Sequence, residues 1–208
     1  IRATQQTGIK ALISGVIIDL FDPAGTDAQL AEIEALHSET RDMEKVRFAL
    51  GPHAPYTVTE RALCWCAEFS QKHNVPIHIH LNETSYEVEQ FSKTHGMRPI
   101  EWLDSIGFLS DRVFAAHCIW LSESEMEILA KHRCNVLHLP TSNMKLASGE
   151  GFHLRRFNEY GIRVLLGTDG CASNNNLDMF EEMKFTGLLQ KSKTGNPLEV
   201  VATDIFEM

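Results

Sequence analysis

The chain has 208 residues, with 19 Lys and Arg against 28 Asp and Glu and a formal net charge of −9. Its 43% hydrophobic and 23% charged residues are those of an ordinary globular protein with one sizeable core. The acidic balance argues against holding nucleic acid by phosphate neutralisation. The lack of any apolar run of about 18 residues argues against a membrane span.

The opening Ile1-Arg2-Ala3-Thr4-Gln5-Gln6 reads as the last turn of a helix and as neither a signal nor a transit peptide. Six short apolar runs follow, at residues 9–18, 46–50, 75–81, 113–116, 135–139 and 162–166. Each is nearly continuous in Val, Ile, Leu or Ala, as in strands covered on both faces. Helix signals lie between them. Thr57-Val58-Thr59-Glu60 and Ser122-Glu123-Ser124-Glu125 both match a capping box, and Gly161 stands where a glycine would end a helix over residues 152–160. Strand and helix alternating without a hairpin signal predict α/β with parallel βα units. Six units fall short of a (β/α)8 barrel of about 250 residues. The reading is therefore a TIM barrel segment over residues 1–208 with about six of eight units. A doubly wound open sheet is the alternative, but it lacks a G-x-G-x-x-G turn.

Five cysteines without a C-x-x-C predict reduced thiols in a cytoplasmic protein. The polar residues after the strands carry the chemistry. The second strand leads to His53, the third carries His78, His80 and then Glu83, and the fourth ends at His117. The fifth leads to Asn143 and the sixth to Asp169. In a barrel these positions converge on the C-terminal face, where active sites are built. Alternation puts Ile77, Ile79 and Leu81 on one face of the third strand and both imidazoles on the other, turned inward. His138 is expected to serve packing or a local hydrogen bond. Imidazole and carboxylate together suit a divalent ion that activates water, with carboxylates to move protons. That describes a metal-assisted hydrolase.

The stretches G-P-H-A-P-Y (51–56), I-H-I-H-L-N-E-T (77–84), A-H-C (116–118), S-N-M-K-L-A-S-G (142–149) and G-T-D-G-C-A-S-N-N-N-L-D-M (167–179) resemble the amidohydrolase superfamily. Within it they are most similar to the 5′-methylthioadenosine/S-adenosylhomocysteine deaminases. The resemblance implies a metal-dependent hydrolase barrel with one zinc per subunit, or iron or another divalent ion in its place. It also implies hydrolytic deamination of an adenine nucleoside at C6, with release of ammonia. Carried over by motif, His80 and Asp169 are zinc ligands, and Asp169 also takes the proton from the attacking water. Glu83 protonates the purine ring, His117 stabilises the hydroxide or the tetrahedral centre, and His53 contacts the nucleoside. Asn143 and Ser173 shape the site. The partner implied is a small nucleoside, and homodimers are common in that family.

Two departures stand out. The family's other two zinc ligands come from an H-x-H on its first barrel strand, ahead of everything here, so the early strands and a small β domain are expected to be missing. The other reading of the H-x-H present is that His78 and His80 both bind metal. Second, relatives that accept S-adenosylhomocysteine carry arginines near the first strand seen here, whereas residues 11–40 contain no Lys or Arg. A buried carboxylate without a cation is costly, so methylthioadenosine or adenosine is expected to be preferred. The alternatives are a guanine, pterin or triazine aminohydrolase or chlorohydrolase on the same scaffold, and a catalytically inactive binding barrel. The H-x-E…P-C-x-x-C pattern of nucleic-acid-editing deaminases is missing.

Overall fold

All six predicted apolar runs form strands in the computed structural model, which describes residues 1–20, 22–149 and 151–208. They are β1 (Ala11–Ile17), β2 (Val46–Pro52), β3 (Ile77–Leu81), β4 (Val113–His117), β5 (Asn135–His138) and β6 (Val164–Leu166). Helix α1 (Arg2–Thr7) precedes β1, and α2 (Thr26–Thr40) and α3 (Glu60–His73) follow β1 and β2. Helices α4 (Ser85–His95) and α5 (Pro99–Ser105) follow β3, and α6 (Glu123–Lys131) follows β4. Helices α7 (Pro140–Lys145) and α8 (Leu154–Glu159) follow β5, and α9 (Cys171–Asn174), α10 (Met179–Thr194) and α11 (Ala202–Phe206) follow β6.

Every neighbouring pair of strands is parallel, and the spatial order is the chain order. A doubly wound sheet reverses its order at a switch point; this one does not, so it is an arc of a barrel. Among the described residues β1 pairs only with β2 and β6 only with β5. Leu12 and Val16 of β1 are 56% and 63% exposed.

Three strands, β1, β3 and β6, begin two residues later than the sequence predicts, the last two for one reason. Val75 donates its amide to Ser70 behind the left-handed Asn74, and Ile162 donates to Phe157 behind the left-handed Gly161. Both residues close the preceding helix before the chain enters the sheet. At the far end of β5, Leu139 becomes the N-cap of α7, with Pro140 in its first turn.

Of the two predicted capping boxes, that of Ser122 and Glu125 forms. The Thr57 box does not: Thr59 caps α3, while the Thr57 hydroxyl contacts the Ala54 carbonyl and the His53 ring. A further box, Thr84 with Glu87, starts α4. Buried Asp19, after β1, accepts from Thr26 and twice from Thr59. Burial works to raise its carboxyl, but these donors outweigh it and hold the pKa below the ordinary value.

The alternation predicted for β3 holds. Ile77, Ile79 and Leu81 are fully buried under the helices, while His78 and His80 are half-buried on the inner face. Beyond β3, fully buried Glu125 accepts from Asn82 Nδ2 at 3.0 Å, Arg98 Nε at 2.8 Å, and the amides of Ile100 at 3.3 Å and Ser122 at 3.0 Å. This knot ties the exit of β3 to α5 and α6. All five cysteines carry free thiols. No described helix is long and apolar enough to cross a membrane.

Candidate active site

The strand exits run through left-handed backbone. Asn82, His117, Cys118 and Asp169 all have positive φ, between 50° and 72°. Such conformations cost free energy in non-glycine residues and cluster at functional sites. At His117 the consequence is direct. Register pairs it with outward-facing Leu81, so strict alternation would turn it away from the barrel axis. Its φ of 72° breaks the alternation and brings the ring within 5.4 Å of the His80 ring, stacked at 24°.

His80 directs Nδ1 to the carbonyl of His53 at 2.7 Å. A carbonyl only accepts, so Nδ1 carries a proton and Nε2 is the ring nitrogen left open. His53 lies beside it, ring centroids 4.8 Å apart, with its Nδ1 2.8 Å from the Thr57 hydroxyl. Burial lowers the His53 pKa, His80 adds to the effect and Glu83 opposes it. Tyr56 stands edge-on to His53 at 6.1 Å, and burial raises its phenol to about 12.

Glu83 sits between two partners. Its Oε2 is 3.5 Å from His117 Nε2, and its Oε1 accepts from the Ser148 hydroxyl at 3.1 Å. His117 Nδ1 is 2.8 Å from Asn143 Oδ1, which makes Nδ1 the protonated nitrogen. Burial lowers the His117 pKa while Glu83 and Asn143 pull the other way. With Nδ1 directed to Asn143, His117 turns Nε2 toward the Glu83 carboxylate across 3.5 Å.

Asp169 closes the group. Its Oδ2 accepts from Ser142 Oγ at 2.6 Å and its Oδ1 from the amide of Gly170 at 2.7 Å. His78 lies one step below His80, with ring centroids 5.7 Å apart. Burial drives its pKa down to about 4, with His80 and His117 adding to the shift and Asp169 opposing it.

Two residues stand apart. Ser173, in α9, makes no side-chain hydrogen bond to the other site residues among those described. His138 faces outward, stacked on Phe152 at 3.8 Å, so it serves packing; among the described residues neither ring nitrogen has a hydrogen-bond partner. It borders a cleft of about 700 Å³ behind α7, which Asn143 also lines. Ser142, Ser148 and Thr57 are absent from the sequence-based site although they hold Asp169, Glu83 and His53. The first two lie inside S-N-M-K-L-A-S-G, and that motif was their only signal.

The donor chemistry accommodates a divalent ion in part. His80, fixed through Nδ1 and open at Nε2, has the orientation a metal ligand takes. Asp169, anchored on both oxygens, retains lone pairs for a cation. Two donors do not complete a site. Among the described residues no group of three His, Cys, Asp or Glu is disposed to hold a metal, with His78 or without it.

The amidohydrolase family model matches residues 1–208. The chain is 46% identical to 5′-deoxyadenosine deaminase of Methanothermobacter thermautotrophicus, covering 100% of this chain and 49% of that one. It is 44% identical to 5-methylthioadenosine/S-adenosylhomocysteine deaminase 1 of Archaeoglobus fulgidus, covering 99% and 49%. Among solved structures, an adenosine deaminase from Xanthomonas campestris with bound zinc superposes with a TM-score of 0.91 at 34% identity, covering 98% of this chain and 47% of that one. An atrazine chlorohydrolase from Arthrobacter aurescens superposes with a TM-score of 0.92 at 22% identity, over 100% of this chain and 49% of that one, a likeness of fold alone. The chain thus spans about half the length of the relatives it matches. With a family match along its whole length and a sheet that is one arc of the same barrel, this chain belongs to the amidohydrolase family.

Proposed function

We propose that this chain forms the greater part of the catalytic face of a longer enzyme, one that hydrolyses the 6-amino group of an adenine nucleoside to give an inosine-type product and ammonia. The observation that carries the reading is the Glu83–His117 pair, 3.5 Å apart and beside His80 at one mouth of the sheet. Relatives named for deaminating adenine nucleosides support it.

In this reading His80 and Asp169 hold a zinc ion, with further ligands from sequence outside this chain. When bound, the ion supplies the Lewis acidity that makes water a nucleophile near neutral pH. Glu83 delivers a proton to the purine ring nitrogen as the water oxygen bonds to C6. Asp169 takes a proton from that water and returns it to the exocyclic nitrogen, so that the C6–N bond breaks and ammonia leaves. Glu83 recovers the remaining hydroxyl proton as the C6 carbonyl forms. His117, protonated at Nε2 as charge develops, offers a hydrogen bond at the tetrahedral centre, and His53 and Tyr56 flank the nucleoside.

The preferred 5′ substituent is uncharged. Residues 11–40 bring no Lys or Arg to this mouth, Asp19 is buried in its own hydrogen bonds, and Arg61 of α3 is paired with Asp27. The test is ammonia release by the complete protein from 5′-deoxyadenosine, methylthioadenosine, adenosine, S-adenosylhomocysteine, guanine, a pterin and a triazine. Specificity constants at least ~10-fold higher for uncharged adenine nucleosides than for S-adenosylhomocysteine are expected. Turnover confined to guanine, pterin or triazine would move the enzyme elsewhere in the family. No turnover of any of them by zinc-loaded protein would leave a binding barrel.

A further inference from the structure

One short stretch, residues 142–148, hydrogen-bonds all three acid–base side chains of the proposed site. Ser142 holds Asp169 at 2.6 Å, Asn143 holds His117 at 2.8 Å, and Ser148 holds Glu83 at 3.1 Å. Ser148 is itself fixed through both backbone groups. Its amide donates to the Asn143 carbonyl at 3.0 Å, and its carbonyl accepts from Trp120 Nε1 at 2.6 Å. The next residue packs against the indole. Gly149, at φ 133°, comes so close that a Cβ there would sit 2.6 Å from the ring. The Trp120 carbonyl in turn accepts from Asn82 Nδ2 at 3.1 Å and Arg98 Nη2 at 2.5 Å, both members of the Glu125 knot. The Ser148 hydroxyl is thus held against the same rigid knot that fixes the exit of β3, from which Glu83 projects.

We propose that Ser148, clamped by Trp120, is a positioning residue that orients the Glu83 carboxyl for proton transfer. The terminal torsion of a glutamate is broad and nearly two-fold, so the carboxyl plane needs an external hold. Among the described residues, Ser148 donates the one hydrogen bond to this carboxylate. By occupying Oε1 it leaves Oε2 facing His117, at the mouth where the purine ring would lie. This inference rests on the deaminase reading, in which Glu83 is the group that protonates the purine ring.

The experiment uses the complete, zinc-loaded protein and its Ser148→Ala, Ser148→Thr and Trp120→Phe variants, with two independent readouts. In steady-state kinetics Ser148→Ala is expected to lower kcat about 10- to 100-fold with KM within about twofold, the signature of misplacement in the transition state. Zinc content stays at the wild-type level. Ser148→Thr restores kcat, and Trp120→Phe, which keeps the ring but loses the N–H, gives an intermediate fall. In crystal structures the Glu83 carboxyl is expected to rotate off His117 in Ser148→Ala and to remain in Ser148→Thr. Wild-type kcat in Ser148→Ala, or a Glu83 carboxyl that keeps its place against His117 there, overturns the proposal. A wild-type protein inactive on every nucleoside would count against the deaminase reading alone, since the crystal comparison still judges the positioning role.

Discussion

Ser142 Oγ donates to Asp169 Oδ2 across 2.6 Å, from a position with no solvent exposure at all. The amide of Gly170 takes the other oxygen at 2.7 Å, so the carboxylate plane is set before any ligand arrives. Outer donors of this kind orient a metal-binding carboxylate. Ser142→Ala is expected to weaken zinc binding by the complete enzyme about 10- to 100-fold. Competition against a chelator measures it, and unchanged affinity would remove Asp169 from the ligand set.

Glu83 and Asp169 separate two roles. Glu83→Gln keeps the shape and removes the ionisable proton, so zinc content should stay at the wild-type level while kcat falls about 10²- to 10⁴-fold. Asp169→Asn should lower both. Zinc analysis of the purified proteins beside ammonia release distinguishes them. Full activity in Glu83→Gln would end its assignment as the proton donor.

His138 makes stability depend on pH. Burial, with Lys193 and His117 adding to it, drives its pKa down to about 3, against an ordinary 6.5. Between those values the unfolded chain binds a proton that the folded one refuses. Stability should therefore fall as pH drops from 6.5 toward 3, at up to about 1.4 kcal/mol per pH unit from this group. His138→Phe keeps the stack on Phe152 and removes the titration. Urea unfolding at pH 7, 6 and 5 should give a flatter profile for the variant. Parallel profiles would show that His138 is not the cause.

The Glu125 knot is expected to matter more to stability than any surface ion pair. Glu125→Ala would strand the buried amide of Ile100 and the half-buried amide of Ser122, leave Asn82 Nδ2 only the Trp120 carbonyl, and leave Arg98 without its carboxylate. Breaking a buried pair from one side costs about 3–5 kcal/mol. Arg98 is one-third exposed, so the lower end is expected. Denaturant titration measures it, and a loss below about 1 kcal/mol would mean that water replaces the carboxylate.

Much of the architecture is legible in the residues. Near-continuous apolar runs and intervening caps place six strands and their order, and the parity of Ile77, Ile79 and Leu81 turns His78 and His80 inward. What stays hidden depends on backbone geometry and on distant partners. The inward turn of His117 comes from a positive φ that no spacing reveals. Thr57 matches a capping pattern, yet its hydroxyl goes to the His53 ring, because Thr59 two residues on fits the N-cap. Ser142 and Ser148 are small, common residues whose partners lie 27 and 65 positions away. Val75 and Ile162 look like strand residues until the preceding helices claim their amides.

The free margins of β1 and β6 give the chain a capacity of its own. Among the described residues neither strand has a partner on its outer edge, and β1 also exposes Leu12 and Val16. Relatives about twice as long carry sequence enough to fill the gap between them. On the proposal that this chain is part of a longer barrel, it should act as an acceptor for split-protein complementation: a separately made polypeptide bearing the remaining strands is expected to dock along both margins and close the ring. Produced without such a donor, the same margins make it self-adhesive, and turbidity that rises with concentration and clears when the donor is added would report both behaviours.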